Sequence, residues 1–148
     1  MVWLVGPHNL LLLGALLEGF LLDYAASMQL LSFSGQNDSE KNKLLALHIL
    51  NDIDSSDCAV VFKEIWALAE RNSAVKKAVD EYYKKLHTML FEALKQAAPD
   101  NFQDQKLNNA VAILLPYIEG YCITSSYLNI STKKLSEQLG SILYKILN

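Results

Sequence analysis

The sequence predicts an all-helical protein, and three observations support that fold class. Apolar residues recur at three- and four-residue spacing through most of the 148 residues, and no stretch alternates convincingly between apolar and polar residues. Six Gly and three Pro are too few for the turns of a β sandwich or barrel. An apolar share of 51% and a formal charge of −3 exclude a disordered chain. The length fits one domain, to which we assign residues 1–148.

The first helix is predicted from about Leu10 to Leu31, in a segment nearly as apolar as a membrane span. Glu18 and Asp23 interrupt its apolar run, so a transmembrane helix is not predicted. No Lys or Arg precedes Lys41, so the basic start of a signal peptide is missing as well. We therefore expect no membrane partner and a helix that is buried on most of its sides.

Polar breaks divide the middle of the chain into three further helices. The second is predicted over about 40–52, with Ser39 as its N-terminal cap. The third, over about 57–70, has a broad apolar face. The fourth, over about 74–98, begins after the cap Ser73 and has its lysines mostly opposite its apolar side.

Two more helices complete the chain. The fifth, over about 104–126, has no charge from Leu107 through Ile118, which predicts burial by several partners. Pro116 is expected to kink that helix or to loosen one of its turns. The sixth, over about 132–147, has an apolar stripe broad enough to serve a core and a partner together.

Composition and motifs argue against several classes of function. A pI near 5.5 gives no basic surface, so this chain alone is expected to bind no nucleic acid. Cys58 and Cys122 form no disulfide framework, which favours a reducing, cytoplasmic compartment. The sequence has no pair of His at i,i+4, Cys-x-x-Cys, phosphate loop or nucleophile elbow. We therefore expect no metal, no cofactor and no enzymatic activity.

Three phrases of the sequence match a known family. The first consists of Phe62, Glu64, Trp66, Ala67, Leu68, Ala69 and Arg71, and the second of Tyr82, Tyr83 and Lys84. The third is AILLPYIEG at 112–120, with Glu119 where Asp is commoner. Together they resemble the C-terminal half of TetR/AcrR-type transcriptional regulators, and the resemblance covers the order of all six helices. The family's helix-turn-helix head has no counterpart here, and residues 1–8 are expected to be a remnant of the junction to it.

The resemblance implies an effector-binding and dimerisation domain of a transcriptional repressor. Its ligand would be small and lipophilic or amphipathic and would bind in an internal pocket. The side chains that line the pocket would have an apolar body and, in most cases, one polar group at the tip. The candidates are Phe62, Trp66, Tyr82, Tyr83, His87, Phe91, Tyr117 and Tyr121. The last two helices would pack against a two-fold mate as a four-helix bundle. That interface is expected to use Leu114, Ile118, Leu135, Leu139, Ile142, Leu143 and Ile146, with Gly120 and Gly140 permitting close helix approach.

Two other functions remain open on the residues alone. The chain would be a headless helical dimerisation or interaction module, without a ligand, if its core is filled. A cavity smaller than roughly 300 Å³ around Trp66 and Tyr117 would favour that alternative. A small helical enzyme would require folding to bring His87 and Cys122 together as base and nucleophile.

Overall fold

The structure, a computed structural model, describes residues 7–148 and the side chains from Asn9 onward. The side chains of residues 1–8, where the junction is expected, lie outside this description. The described chain folds into six helices without a β-strand, which confirms the predicted all-α class. They are α1 (Pro7–Gln29), α2 (Asp38–Asp54), α3 (Cys58–Ala69), α4 (Ser73–Ala97), α5 (Asp104–Thr124) and α6 (Thr132–Leu147), with a 3-10 turn at Ser125–Tyr127.

Two helices begin at caps that differ from the expected ones. Asn37, rather than Ser39, caps α2: its side-chain oxygen accepts a hydrogen bond from the Glu40 amide, and the Glu40 carboxylate accepts one from the Asn37 amide. Asn72, rather than Ser73, caps α4. Both Asn residues have extended backbones, which let a short side chain reach the free amides of the first turn.

The closest helix pair in the core is α2 with α6. A Cβ atom built on Gly140 of α6 would lie 2.5 Å from the Cα atom of Lys43 on α2. Only glycine permits this approach, so Gly140 serves packing within the protomer. Gly120 on α5 differs, since a Cβ atom there would have no other atom within 4 Å.

Alanine at Gly140 is therefore expected to destabilise the fold by roughly 1–3 kcal/mol, because the two backbones must separate to admit a methyl group. The matched control is Gly14→Ala on α1, where a Cβ atom has no other atom within 4 Å. It is expected to stabilise α1 by about 0.5–1 kcal/mol through its better helix propensity. Urea unfolding of both variants gives the free energies. Equal effects of the two substitutions would contradict the close contact between α2 and α6.

Helix α1 is not buried on most of its sides, contrary to the expectation from its composition. Leu17 and Leu21 enter the core, and α1 packs mainly against α4. Its other side leaves Leu11, Leu12 and Leu22 exposed by 73%, 68% and 63%. The apolar composition of α1 thus exceeds what the protomer buries.

The segment Asn9–Gln29 of α1 is also long and apolar enough to cross a membrane, with a mean hydropathy of 1.6. Core helices of soluble proteins and N-terminal signal sequences meet the same criterion, so it does not by itself indicate a membrane protein. Within the fold, Glu18 of α1 forms a 2.9 Å ion pair with Lys85 of α4. This pair and the two buried leucines attach α1 to the bundle.

The C-terminal end of α1 is fixed to α2 by a small hydrogen-bonded group. The Ser27 hydroxyl donates to the carboxylate of Asp52 and lies 2.8 Å from Nε2 of His48. The same His48 nitrogen lies 2.9 Å from the Ser27 carbonyl oxygen. These contacts involve only the last turns of α1, so they anchor one end of the helix.

Helix α5 contacts several helices, yet one of its faces is open. Leu107 and Leu114 are fully buried, whereas Ile113 is 47% exposed and Pro116 and Gly120 are also exposed. The helix is continuous through Pro116. The uncharged run of α5 therefore forms both core and surface, and the prediction that it is buried on several sides is correct for only part of its circumference.

Candidate functional site

Aromatic side chains of α1, α3 and α4 form one cluster inside the bundle. The ring centre of Phe62 lies 5.4 Å from those of Phe20 and Tyr82 and 6.4 Å from that of Trp66. Tyr82 in turn meets Tyr83 edge to face at 5.2 Å. Such tilted and edge-on pairs are favourable aromatic geometries. The fold thus brings together four of the eight residues that the sequence nominated for a ligand site.

A chain of hydrogen bonds crosses this cluster from α3 to α5. Nε1 of Trp66 donates to the Tyr83 hydroxyl at 2.7 Å, and that hydroxyl donates to Oε2 of Glu119 at 3.0 Å. Burial raises the pKa of the Glu119 carboxyl to about 7, although the bond from Tyr83 acts in the opposite direction. Burial and the nearby Glu119 also raise the pKa of Tyr83 above its usual range. The Trp66–Tyr83–Glu119 chain is therefore a polar path whose carboxyl changes charge near neutral pH.

Two polar groups in the cluster are incompletely satisfied: Glu119 has a hydrogen bond but no ion pair, and the Tyr82 hydroxyl has no hydrogen bond. Among residues 9–148, no Lys, Arg or His lies within 4.0 Å of the Glu119 carboxylate. The Tyr82 hydroxyl is buried, and no hydrogen-bond partner for it occurs in the same part of the chain. Each such group costs free energy relative to its state in water. The cluster can therefore gain free energy by binding a molecule that supplies those partners.

Two spaces border the bundle near these residues. An open groove of about 560 Å³ is lined by Asp80, Tyr83, Lys84, His87 and Leu115. An enclosed apolar space of about 20 Å³ is lined by Tyr24, Met28, Ile49, Ile53, Leu86, Met89, Leu90, Ala93 and Ile118. The groove is within the size range of small-molecule sites, whereas the enclosed space is large enough for about one water. The larger space thus lies beside Tyr83 and His87, on the surface. Neither space is lined by Trp66 or Tyr117, and the enclosed one is far below the roughly 300 Å³ expected of an internal ligand pocket. By that criterion these two spaces favour the interaction module over a preformed internal pocket.

The other nominated residues have different surroundings. His87 is exposed on the groove, and Phe91 and Tyr117 are half-buried against the core. The hydroxyl of Tyr121 donates to Oδ1 of Asp54 at 2.7 Å, which ties α5 to the last turn of α2. Tyr121 therefore has a structural partner in this conformation.

Glu119 is not among the eight residues that the sequence nominated for the ligand site. One sequence feature could have identified Glu119: it is a carboxylate directly after the uncharged run that ends at Ile118, on a helix expected to be buried. Phe20 and Tyr24 were also not assigned, although both lie on the apolar stripe of α1. Helical spacing placed them on one face but gave no indication that α3 and α4 would meet that face.

The nominated interface residues divide by burial within the protomer. Leu114, Leu139 and Leu143 are enclosed in the protomer, and Ile118 is buried as well. Leu135 and Ile146 are half-buried, and Ile142 is 46% exposed. Enclosed side chains add no surface for a partner. An interface on α5 and α6 would therefore depend on Ile142 and on the open face of α5.

Comparison with known proteins points to the class of transcription regulators. The chain is 29% identical over 110 residues to an uncharacterized HTH-type transcriptional regulator in the dhlA 5′ region of Xanthobacter autotrophicus. The match covers 74% of this chain and 53% of the relative, so the chain spans about half the length of the curated relative that it matches. No family model matches the sequence, and no solved structure matches it. The described all-helical fold is compatible with this similarity.

Proposed function

We propose that this chain is the effector-binding and dimerisation part of a TetR-like, cytoplasmic transcription regulator. The observation that supports this most is the Trp66–Tyr83–Glu119 chain, which joins three helices beside a groove of ligand size. Polar groups that lack some of their partners cost free energy in a filled core, whereas at a binding site a ligand can supply those partners. The similarity to an HTH-type regulator gives the site a regulatory context.

The ligand in this proposal is small and lipophilic or amphipathic. Its polar part binds at the groove beside Tyr83 and His87. Its apolar part would enter the enclosed space between α1, α2, α4 and α5, where Met28 and Met89 lie. The groove and this space share no lining residue, so the side chains between them must move to admit one ligand to both. Unbranched methionine side chains rearrange readily, so this space can widen from about 20 Å³ when a ligand enters.

Widening that space displaces α1, because Tyr24 and Met28 of α1 form one of its walls. The Ser27 group anchors the C-terminal end of α1, so its N-terminal end moves most. In a full-length regulator that end would lead to the DNA-reading head. The ligand acts only through its difference in affinity between the two positions of α1.

A panel of small lipophilic and amphipathic compounds tests this proposal through Trp66. The chain has two tryptophans, so Trp3→Phe leaves Trp66 as the reporter of emission. A ligand is expected to change that emission saturably, because Trp66 is bonded to Tyr83. At about 100 times Kd it should also raise the Tm by roughly 5–10 °C. A flat emission and a flat Tm across the panel would contradict the ligand site and favour the interaction module.

Dimerisation is proposed through α5 and α6, around Ile113 and Ile142 and beside the exposed Gly120. An obligate two-fold interface buries roughly 2,000 Å² or more, so both helices must contribute. Gly120 has open space where a Cβ atom would be, which allows a partner helix to approach closely. The exposed isoleucines would form its apolar centre.

Ile142→Glu is expected to convert the dimer to a folded monomer, because it places a charge in the proposed interface without disturbing the core. Light scattering measures the mass, and the Tm confirms that the protomer is folded. Val60→Glu on α3 is the matched control, since Val60 is 69% exposed and outside the proposed interface. A folded Ile142→Glu dimer, or a Val60→Glu monomer, would show that the interface lies elsewhere.

A further inference from the structure

Two cysteines that the proposed function does not use lie together in the core. Cys58 is the first residue of α3, Cys122 lies in the last turn of α5, and the chain has no other cysteine. We propose that they form a reactive thiol pair, which hydrogen peroxide oxidises to a disulfide within one protomer. This modification site does not depend on the proposed effector site.

The two thiols are in contact across the boundary between α3 and α5. Both are free, they are 2% and 7% exposed, and a hydrogen bond joins their side chains. A disulfide requires the sulfur atoms to approach to about 2.05 Å, so its two cysteines must be neighbours in the fold. The direct packing of α3 against α5 makes these two neighbours. Their burial favours a bond inside the protomer over one to another chain.

Cys58 is the sulfur of the pair that ionises. The hydrogen bond with Cys122 lowers the pKa of Cys58 most, and the backbone amides of Cys58 and Ala59 lower it further, although burial acts in the opposite direction. The first turn of α3 has free amides because Asp57, directly before it, makes no side-chain capping hydrogen bond. The contact with Cys58 and burial raise the pKa of Cys122. Cys58 is therefore the nucleophile, and Cys122 keeps its proton until the second step.

The loop before α3 gives a small oxidant a route to Cys58. Residues 55–57 of this loop are exposed, and α3 begins without a side-chain cap. Local opening of an uncapped first turn breaks far fewer contacts than global unfolding does. Hydrogen peroxide is little larger than water and needs only such an opening, whereas a bulky disulfide oxidant would need much more of the core to separate. The pair is therefore assigned to peroxide.

The reaction consumes one peroxide in two steps. The Cys58 thiolate attacks one peroxide oxygen, the O–O bond breaks, and the sulfur becomes a sulfenic acid while the other oxygen leaves as hydroxide and takes up a proton. The Cys122 sulfur then attacks the Cys58 sulfur, the S–O bond breaks, and water leaves with the Cys122 proton. The two thiols lose two electrons in total, and the peroxide gains them to become two water molecules.

Closure of the disulfide alters three helices. It links the first turn of α3 covalently to the last turn of α5. It also removes the negative charge of the thiolate, which raises the pKa of Tyr24 on α1 and of Glu119 on α5. Oxidation therefore acts on the surroundings of α1 without any ligand.

Treatment of the folded protein with hydrogen peroxide near neutral pH tests the pair. The wild type is expected to lose both free thiols and about 2 Da of mass, and to yield a peptide pair linked through Cys58 and Cys122. The urea-unfolded protein is the control and should react about tenfold more slowly, because its thiols have ordinary pKa values. Cys122→Ser should stop at a sulfenic acid that dimedone traps, and Cys58→Ser should keep its thiol.

Several results would overturn the thiol pair. Retention of both thiols in the folded protein, or a reaction no faster than that of the unfolded protein, would show that the cysteines only fill the core. Disulfide-linked dimers, or oxidation of Cys58→Ser at the wild-type rate, would also contradict it. If a serine variant does not fold, the comparison of folded and unfolded wild type still decides. Ligand binding is measured separately, so failure of the pair leaves the effector site standing.

Discussion

Leu139→Glu is expected to unfold the protomer instead of splitting a dimer. Leu139 lies on the stripe of α6 that the sequence assigned to the interface, but it is only 1% exposed in the protomer. A buried, unpaired carboxylate costs several kcal/mol, which is a large part of the stability of an ordinary domain. Circular dichroism and urea unfolding measure the loss.

The matched control for this variant is Gln138→Glu, one residue earlier on the exposed side of α6. It introduces the same charge into the same helix and should change the stability by no more than about 0.5 kcal/mol. A folded, monomeric Leu139→Glu protein with native helicity would show that Leu139 lies between copies, as the sequence suggested, and not inside one.

Stability is expected to fall as the pH rises from about 5 to about 8, because of Glu119. Its pKa is raised from 4.5 to about 7 in the folded protein, so the folded state holds the proton more tightly than the unfolded chain does. The protonated Glu119 contributes its full share of the stability below the pKa of the unfolded chain, 4.5, and this share is lost as the pH rises through the pKa of the folded state, about 7. The loss should be on the order of 2 kcal/mol, after allowance for solvent near the group.

Urea unfolding of the wild type and of Glu119→Gln at several pH values checks this loss. Glutamine keeps an oxygen that accepts from Tyr83 but cannot ionise, so the variant should become relatively more stable as the pH rises. Glu64→Gln controls for the removal of one acidic charge at an exposed site. The same pH dependence in the wild type and in Glu119→Gln would contradict a raised pKa at this carboxyl.

Periodicity predicted the six helices because helical spacing is a local property of the sequence. It did not predict which apolar faces the protomer covers. Leu12 and Leu17 both belong to the same apolar run of α1, yet the first is 68% exposed and the second is buried. The difference depends on where α4 lies, and that position arises from contacts between distant segments. The same limit explains why α5 has an open face at Ile113.

The site was predictable to the extent that its residues share one helix face or a family phrase. Phe62 and Trp66 are four residues apart on α3, and the fold places both in the aromatic cluster. Glu119 was missed because its role depends on the approach of α4 to α5, which brings the Tyr83 hydroxyl within 3.0 Å. Gly140 was assigned to contact with a partner, whereas its close neighbour is α2 of the same protomer.

The effector site at the Trp66–Tyr83–Glu119 chain is tested most directly by calorimetric titration of a compound selected from the lipophilic panel. The wild type is compared with Tyr83→Phe and with Tyr144→Phe, which each lose one hydroxyl. Binding is expected to weaken about threefold to tenfold in Tyr83→Phe, the range for one lost hydrogen bond, and to be unchanged in Tyr144→Phe on α6. Equal affinities of all three proteins would contradict a ligand site at this chain.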